Sequence, residues 1–450
     1  MHTVFLSLGS NIGNRLHFLR QAVQALQENV LTEFTSSIVL ETPALLLPDS
    51  PSEWDRPYCN LVVRGKTHSE PEALLSALKA IEDQCGRSSQ HLRWSPRTLD
   101  IDILLYDSVC IQTERLTIPH SELKHRDFLL HLLALLEPEL VCPGTQETFD
   151  ALARAALQKT KTKWKHAYVL FPQCMGIVNV TPDSFSDGGC YYQPDAAVAH
   201  CQQLWEEGAS LLDLGAQSTR PDLTHTVTWE EEWSRLQPVL ERLDPSIPVS
   251  VDTYYADLVE QLLSQGKISW INDVSGRLPE KTLQHIADAG CAICTMHSLS
   301  VPPKTGEYVT SLLPTLAEWG ERQVEMLTRC GFPLDRIVLD PGVGFGKTAY
   351  QTGVLLKTID QWKRLGVSTL LGHSRKSFYA ALGAYGARDR DHETVAISLL
   401  LKNKIDYIRV HNVAWHQRAL VAQQMVENCY ASSGHFDGSR GTSARSLSMD

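Results

Sequence analysis

Two aspartates one residue apart stand inside a hydrophobic run, TLDIDILLYD, at residues 98–107. Side chains two apart on a β-strand point to the same face, so Asp100 and Asp102 would share one face, opposite Ile101 and Ile103. Carboxylates about 7 Å apart along a strand match the preference of Mg²⁺ for carboxylate and phosphate oxygens. The pattern predicts a magnesium site, and an exposed strand with paired surface charges is the alternative.

Basic residues stand just before this strand: Arg93 and Arg97, with Arg87 a little earlier. Guanidinium groups bind phosphate oxygens through paired hydrogen bonds, so the cluster suits the same ligand as the carboxylates. The net charge of the chain is −11, so an anion must be held by such a local cluster. The segment is predicted to bind a metal–polyphosphate, and neither nucleic acid nor a membrane is an expected partner.

A second set of polar residues follows short hydrophobic runs in the later part of the chain. Eight β-rich runs alternate with helical stretches between residues 174 and 412, which predicts a (β/α)8 TIM barrel, with a doubly wound open sheet as the alternative. Active sites of such barrels form where the strands end. The polar residues at or near those ends are Asn179, Asp213, Asp252, Asn272, His297, Asp340, Ser374, Arg409 and His411.

The first third of the chain mixes strands and helices without strict alternation, which favours an α+β sandwich. Its strands are TVFLSLGS, NLVVRGKT and TLDIDILLYD, and its helices follow Asn11 and cover PEALLSALKAIEDQCG. The pattern breaks between about residues 151 and 171, where QKTKTKWKHAY has no apolar period. We therefore expect a first domain at 1–160, a linker at 161–172, a barrel at 173–430 and a disordered tail at 431–450.

The cysteines and the N-terminus indicate where the protein works. Eleven cysteines scattered over a long chain are typical of a reducing compartment, not of a disulfide framework. The pair Cys291 and Cys294 falls in a predicted strand and is interpreted as core. The N-terminus lacks the features of a signal peptide, and no run is long enough to span a membrane. A cytoplasmic location is expected.

Five motifs in the first 160 residues resemble 6-hydroxymethyl-7,8-dihydropterin pyrophosphokinase: SLGSNIGNR, TPAL, PYCN, RWSPRTLDIDILLYD and LTIPHSELKHRDF. The resemblance implies a ferredoxin-like sandwich, ATP as co-substrate, and Mg²⁺ on Asp100 and Asp102. ATP phosphates would contact Arg87, Arg97, His120 and Arg126, and the pterin would be held by Thr42, Pro43, Leu45, Tyr58, Asn60, Trp94 and Phe128. Ser89 departs from the family, where many members carry a basic residue.

Residues 172–430 resemble dihydropteroate synthase through MGIVNVTPDSFSDGG, STRP, SVDT, INDVSG, DPGVGFGK, SRKSF and RVHN. The resemblance implies that the pterin is bound by Asp252, Asn272, Asp340 and Lys376. The diphosphate would be bound by Asn179, Arg409 and His411, with Mg²⁺ near Asn179. The p-aminobenzoate site would be formed by Thr219, Arg220, Phe345 and Ser377, covered by the loop of Asp187.

Together the two resemblances predict a bifunctional enzyme of folate biosynthesis. The first domain would make the pterin diphosphate, and the barrel would condense it with p-aminobenzoate. A homodimer through the barrel is a further expectation, which rests on the resemblance. The alternatives are a pterin-binding methyltransferase barrel, which should lack STRP and SRK, and a non-catalytic pterin carrier. The residues predicted to be catalytic are Asp100, Asp102, Arg87, Arg97, Lys376, Arg409 and His411.

Overall fold

A computed structural model describes residues 1–46, 50–86, 95–160, 164, 166–181, 193–217, 227–382, 386 and 390–432. The chain divides into two compact units, the first built mainly from residues 1–166 and the second mainly from residues 167–421. Five predicted site residues lie outside the described residues, as does most of the predicted tail: Arg87, Trp94, Asp187, Thr219 and Arg220.

The first unit is an antiparallel sheet with helices packed on it, in the strand order β5-β1-β4-β3, with β2 also paired to β4. Helix α2 packs on β5, and α3 packs on β4. This is the predicted α+β, ferredoxin-like class. The strands are β1 (His2–Ser10), β2 (Thr32–Ser36), β3 (Val39–Thr42), β4 (Tyr58–Thr67) and β5 (Asp100–Tyr106), and the helices are α1 (Arg15–Asn29), α2 (Pro71–Gln84), α3 (Asp127–Leu136) and α4 (Phe149–Thr160). A small hairpin pairs β6 (Ile111–Gln112) with β7 (Thr117–Ile118).

The central position of β1 explains its nearly continuous burial. It pairs with β4 on one side and β5 on the other, so seven of its nine residues are buried. Helix α2 begins with Pro71, whose missing N–H costs nothing at the first helical position, and Gly86 follows its end at φ 79°. The predicted strands and helices of this unit are present. Strands β2 and β3 were not predicted, and α4 occupies residues where the pattern was expected to break.

The second unit is a closed parallel barrel in the order β10-β11-β12-β13-β14-β15-β16-β9. The eight predicted runs therefore form the predicted (β/α)8 barrel, and the open sheet is excluded. After β8 (Ala167–Tyr168), the barrel strands are β9 (Gln173–Asn179), β10 (Leu211–Gly215), β11 (Val249–Asp252), β12 (Trp270–Asp273), β13 (Ala292–Met296), β14 (Ile337–Asp340), β15 (Ser368–Leu371) and β16 (Tyr407–Val410). The helices are α5 (Pro194–Glu206), α6 (Trp229–Arg242), α7 (Ala256–Gln265), α8 (Glu280–Asp288), α9 (Leu312–Arg329), α10 (Ala349–Thr358), α11 (Asp391–Leu401) and α12 (Val413–Ser432).

The barrel interior has an apolar layer below its polar mouth. Five buried side chains from five strands form one cluster inside it: Met175, Leu211, Cys294, Val338 and Leu370. Cys291 and Cys294 are both buried free thiols, as predicted for core residues. Two helices begin with a capping box, at Thr228 for α6 and at Thr348 for α10. Across the described residues, no helix is both long and apolar enough to cross a bilayer.

Candidate active sites

Strand β5 presents both aspartates to a cleft of about 540 Å³ in the first unit. Ile101 and Ile103 on its other face are buried in the core, so the alternation of the strand fixes the direction of the carboxylates. The cleft contains ten of the residues predicted from the sequence: Thr42, Pro43, Leu45, Tyr58, Asn60, Arg97, Asp100, Asp102, Arg126 and Phe128. A surface strand with paired charges does not fit this arrangement.

The backbone of β5 is held from its outer edge by a buried carboxylate. Glu82 is 1% exposed and accepts a hydrogen bond from the backbone N–H of Ile101 at 2.7 Å and another from Lys79 Nζ at 2.8 Å. Ile101 lies between the two aspartates, and β5 is an edge strand of the sheet. Glu82 therefore fixes the peptide from which both carboxylates project.

Arg97 is placed beside the aspartates by a short clamp. Its backbone N–H donates to Asn11 Oδ1 at 2.8 Å, and its carbonyl accepts from the Asn11 N–H at 3.2 Å. Its guanidinium lies 3.2 Å from Asp100 Oδ2. The clamp brings a cation to the carboxylates, as a polyphosphate site requires.

The electrostatics of the carboxylate pair favour a bound cation. Burial raises the pKa of the Asp102 carboxyl, and the nearby Asp100 raises it further, whereas His120, Lys79 and Arg126 act in the opposite direction. A divalent cation would relieve the repulsion between the two carboxylates. Among the described residues no cluster of three or more metal-ligating side chains occurs. The pair therefore suits Mg²⁺ that arrives with phosphate oxygens, which Mg²⁺ prefers to an all-protein cage.

The other end of the cleft suits a flat ring with polar edges. Asn60 donates from Nδ2 to Thr42 Oγ1 at 2.8 Å, which orients its amide in the buried floor. Gly9 on β1 faces Asn60, and a Cβ atom there would lie 2.7 Å from Asn60 Oδ1. The absence of a side chain at this position keeps the floor open above the amide. Tyr58 and Phe128 provide aromatic walls, and Leu45 is 59% exposed at the rim.

The mouth of the barrel contains a buried ion-pair cluster built on Arg409. Its Nε donates to Asp213 Oδ2 at 2.6 Å, and another of its nitrogens donates to Asp252 Oδ2 at 3.1 Å. Asp213 is fully buried and also accepts from Ser250 Oγ at 2.6 Å and from Asn272 Nδ2 at 3.1 Å. Burial raises the pKa of the Asp252 carboxyl, against the effect of Arg409. These bonds use two of the five donors of the guanidinium.

Lys376 and Asp340 form the second half of this cluster. Lys376 Nζ lies 4.5 Å from the centre of the Phe345 ring, in a cation–π arrangement. Burial lowers the pKa of Lys376 to about 8, so the amine is still mostly charged at neutral pH. Asp340 accepts from the N–H of Gly342 at 2.7 Å, and burial raises its pKa. Gly372 leaves room beside it, because a Cβ there would lie 3.3 Å from Asp340 Oδ2.

His411 is held as a neutral ring. Burial and then the nearby Arg375, Arg409 and Lys376 lower its pKa well below the usual value. Its backbone N–H donates to Ser374 Oγ at 3.3 Å, and its Nδ1 lies 2.9 Å from the same hydroxyl. A hydroxyl that accepts from the backbone and donates to Nδ1 leaves the proton of the neutral ring on Nε2.

Asn179 lies at the mouth of the barrel, at the end of β9. In the strand register Gly215 lies beside both Asn179 and Asp252, so the three positions are adjacent. Ser377 begins a short 3-10 helix directly after Lys376 and is exposed. The structure thus brings together the described residues that were predicted for the second site, with Ser377 at its edge.

Three residues of these sites were missed from the sequence. Asp213 was identified only as one of several polar residues at strand ends, although it holds Arg409. Lys347 is buried, and its Nζ lies 2.8 to 3.0 Å from His297 Nδ1 and from the carbonyls of His297 and Phe345. Asn11 belongs to the SLGSN motif, which could have identified it.

Comparison with known proteins decides the family. The model of the 7,8-dihydro-6-hydroxymethylpterin-pyrophosphokinase family matches residues 5–138, and that of the pterin binding enzyme family matches residues 175–411. The folate synthesis bifunctional protein of Chlamydia caviae is 42% identical over 435 residues, which cover 93% of this chain and 97% of that protein. The chain belongs to the folate synthesis bifunctional proteins. It is a bifunctional transferase with a pyrophosphokinase unit and a dihydropteroate synthase barrel.

Solved structures agree for the barrel of this folate synthesis protein. The Yersinia pestis dihydropteroate synthase, in a sulfonamide drug complex, is 32% identical, with a TM-score of 0.53 and coverage of 58% of this chain and 95% of that chain. The Xanthomonas albilineans dihydropteroate synthase, with 4-aminobenzoic acid, is 36% identical, with a TM-score of 0.53 and coverage of 57% and 93%. The barrel therefore has the dihydropteroate synthase fold.

Proposed function

We propose that each reaction of this bifunctional enzyme takes place in one of the two sites described above. The enzyme uses ATP to pyrophosphorylate 6-hydroxymethyl-7,8-dihydropterin, and it then condenses the pterin diphosphate with p-aminobenzoate to form 7,8-dihydropteroate and diphosphate. The observation that carries the assignment is that one chain holds a carboxylate-bearing cleft at residues 100–102 and a buried Asp–Arg–Lys cluster at the mouth of a barrel.

In the first unit, Asp100 and Asp102 would hold Mg²⁺, which neutralises phosphate charge when it is bound. Arg97 and Arg126, which line the same cleft, would bind ATP phosphates, and His120 would join them from its position near Asp102. The ring would lie between Tyr58 and Phe128, with its polar edge on Asn60. Arg87 and Trp94 keep their predicted roles as a phosphate contact and a pterin contact, although both lie outside the described residues.

The kinase reaction needs positioning more than covalent chemistry. The hydroxymethyl oxygen attacks the β-phosphorus of ATP, the bond to the α-phosphate oxygen breaks, and AMP leaves. The hydroxyl gives up its proton as the new bond forms. The clamp between Arg97 and Asn11 and the support of Ile101 by Glu82 would fix the charged groups before substrates bind. Such preorganised charge is a large contribution to catalysis.

In the barrel, the ring of the pterin diphosphate would be read by Asp252, Asn272, Asp340 and Lys376. A pterin presents an amino group and a ring N–H side by side, and a carboxylate such as Asp340 can accept from both. Lys376 is mostly protonated and would donate to an acceptor on the ring, while Phe345 packs beside it. Asp252 is bonded to Arg409 through one oxygen, which leaves the other to accept from the substrate.

The diphosphate would be held by Arg409 and His411. Arg409 has donors beyond its two carboxylate bonds, and a neutral His411 would donate from Nε2. Three carboxylates (Asp213, Asp252 and Asp340) face the two cations Arg409 and Lys376, so a diphosphate would add negative charge to a site that is not strongly positive. Mg²⁺ near Asn179, which offers an amide oxygen, would fit this balance, and it would stabilise the leaving charge when bound.

Condensation then needs no strong base. The bond between the pterin methylene and diphosphate breaks, and the neutral aniline nitrogen of p-aminobenzoate forms the new C–N bond and loses a proton. Thr219, Arg220 and Asp187 keep their predicted roles around p-aminobenzoate outside the described residues. Phe345 and Ser377 lie at the described edge of that site. The 4-aminobenzoic acid in the Xanthomonas albilineans structure supports this assignment for the related barrel.

We also propose domain boundaries, a homodimer and a cytoplasmic location. The domains are 1–160 and 173–430, with a linker at 161–172 and a tail at 431–450, although α12 continues to Ser432. A homodimer through the barrel is supported by Tyr350 on α10 and Leu400 on α11, which are 82% and 78% exposed. A cytoplasmic location is supported by the free thiols of the described cysteines.

A product assay with two variants tests the assignment. The wild-type protein with ATP, Mg²⁺, 6-hydroxymethyl-7,8-dihydropterin and p-aminobenzoate should yield AMP, diphosphate and dihydropteroate. Asp102→Asn should abolish AMP formation and leave synthesis from supplied pterin diphosphate, and Lys376→Ala should do the reverse. Equal loss of both activities in either variant would contradict two separate sites. Omitting Mg²⁺ with a chelator present should stop AMP formation, and continued turnover would overturn the metal assignment.

A further inference from the structure

One aromatic side chain in the kinase cleft comes from the predicted linker. Trp164 lies in the lysine-rich stretch KTKTKWK, where it was predicted to be part of a linker. In the structure it is half-buried and lines the same 540 Å³ cleft as Tyr58 and Phe128. A tryptophan in so polar a segment would expose a large apolar surface unless it packed against something. Its position therefore needs an explanation.

The contacts of Trp164 place it at the end of the cleft assigned to the pterin. Its ring centre lies 4.6 Å from that of His131, at an interplanar angle of 34°. His131 is three residues after Phe128 on α3, so the two side chains lie on the same face of that helix. Trp164 therefore packs on the face of α3 that also carries Phe128, one of the aromatic walls of the cleft.

A second contact fixes the segment from the opposite side. The backbone N–H of Glu41 donates to the carbonyl of His166 at 2.9 Å. Glu41 belongs to β3, and the next residues of the chain, Thr42 and Pro43, line the cleft. Trp164 thus contacts α3, and His166 is bonded to β3; these two elements frame the pterin end.

We propose that Trp164 is a specificity residue for the pterin in the kinase cleft, acting as an additional aromatic wall supplied from the predicted linker. This inference rests on the proposed kinase function of that cleft. The ligand it selects is a flat bicyclic heterocycle, because an indole face gives area and ring stacking to such a group and little to a triphosphate. Burial lowers the pKa of His131, so the ring that supports Trp164 is neutral and adds no charge there.

Steady-state kinetics of the full-length protein test the role. Trp164→Ala should raise the KM for 6-hydroxymethyl-7,8-dihydropterin roughly threefold to tenfold, the size expected for one lost aromatic contact. The KM for ATP and the kcat should stay within about twofold of wild type, because the phosphate end is untouched. Trp164→Phe keeps an aromatic face and should recover most of the affinity. An unchanged pterin KM, or equal rises in both KM values, would overturn the proposal and leave Trp164 as an anchor of the segment.

A matched control variant separates the site from a general loss of packing. Trp415 in α12 packs on His392 with ring centres 5.2 Å apart, a similar pair outside the kinase cleft. Trp415→Ala should leave both kinase KM values unchanged. If wild-type protein makes no pterin-dependent AMP, the kinase assignment itself fails. If it does but the Trp164 variants behave like wild type, the kinase assignment stands and the specificity role is wrong.

A binding measurement gives a readout that does not depend on turnover or on stability. The probe is 6-hydroxymethylpterin, added with Mg²⁺ and a non-hydrolysable ATP analogue. The difference in tryptophan emission between wild type and Trp164→Phe isolates the contribution of Trp164. Saturable quenching of that difference signal is expected. A difference signal that does not respond to the probe would contradict contact between Trp164 and the pterin, whatever the kinetics.

Discussion

Asp213 offers the sharpest test of the barrel site, because the structure makes it the holder of Arg409. Its carboxylate is fully buried and accepts three hydrogen bonds, from Arg409, Asn272 and Ser250. Asp213→Asn keeps the shape of the side chain and can keep these contacts. The amide oxygen can face Arg409 and Asn272, and the amide nitrogen can donate to the hydroxyl of Ser250. The variant therefore removes the charge and little else.

The expected magnitude follows from the lost charge. An ion-paired hydrogen bond contributes about 1.5–3 kcal/mol and a neutral one about 0.5–1.5 kcal/mol, so Asp213→Asn should lower the free energy of unfolding of the barrel by about 1–2 kcal/mol. Asp213→Ala leaves the half-buried guanidinium of Arg409 without its nearest partner and should lower the free energy of unfolding further, by about 3 kcal/mol. In Asp213→Asn the bond that orients Arg409 would be weaker, because its acceptor would be a neutral amide oxygen instead of a carboxylate. The kcat/KM for the pterin diphosphate should then fall roughly tenfold to a hundredfold, at about 1.4 kcal/mol per factor of ten.

Two assays and one control variant test the role of the Asp213 charge. Urea unfolding measures stability, and synthase turnover is measured from supplied pterin diphosphate and p-aminobenzoate. Ser250→Ala removes one hydrogen bond to the Asp213 carboxylate, but the carboxylate keeps its charge and its ion pair with Arg409. It should cost about 1 kcal/mol in stability with nearly normal synthase turnover. Equal loss of synthase activity in Ser250→Ala and Asp213→Asn, or a wild-type kcat/KM in Asp213→Asn, would show that the charge of Asp213 does not orient Arg409. Kinase activity should be unchanged in both variants.

Three further predictions concern the barrel. Burial raises the pKa of Glu232 to about 8, and the nearby Asp252 also raises it. The hydrogen bond from Thr253 and the charge of Arg235 act in the opposite direction. The folded state therefore holds a proton that the unfolded state releases near pH 4.5, so stability should fall as pH rises from about 4.5 to 8, by a total on the order of 4 kcal/mol. Glu232→Gln should flatten that dependence in urea unfolding at several pH values, and a parallel decline in both proteins would count against it. Lys347→Met leaves the buried carbonyls of His297 and Phe345 without a donor. It should lower the free energy of unfolding by about 2–5 kcal/mol and raise the KM for the pterin diphosphate. A wild-type urea midpoint would show that these bonds do not stabilise the barrel. Sulfonamides should compete with p-aminobenzoate in synthase kinetics, and purely noncompetitive inhibition would contradict the assigned pocket.

The barrel was predictable because its signal is repeated. Eight hydrophobic runs with polar ends recur at even spacing, and each run is buried in the closed sheet. The short elements of the first unit carry no such signal. Strand β2 has the polar sequence TEFTS and no buried residue, and β3 has only four residues. Neither shows enough alternation to be separated from a loop. Helix α4 was not predicted, because its last residues run into a lysine-rich stretch that has no apolar period.

Some site residues could likewise be assigned from local sequence spacing, whereas others meet their partners only through tertiary packing. Asp100 and Asp102 could be assigned a common face from their spacing alone, because a strand alternates. Asp213 could not be assigned a partner, because Arg409 lies 196 residues away and meets it only when the barrel closes. The strands of both residues flank β9 in the sheet. Trp164 was beyond prediction for a related reason, since its neighbours on α3 and β3 are fixed by tertiary packing.

Both units must bind the same pterin diphosphate, one as product and the other as substrate, and their charges suit these different tasks. In the kinase cleft the groups nearest the phosphates include two carboxylates, Asp100 and Asp102. Without a cation these carboxylates would repel a diphosphate, so the proposed metal, which would assist its formation, would also govern how firmly the product is held. In the barrel, Arg409 and Lys376 are half-buried beside carboxylates that keep them charged and oriented. There Arg409 and Lys376, with Mg²⁺ near Asn179 to offset the three carboxylates, would stabilise the diphosphate most as it departs with its full charge.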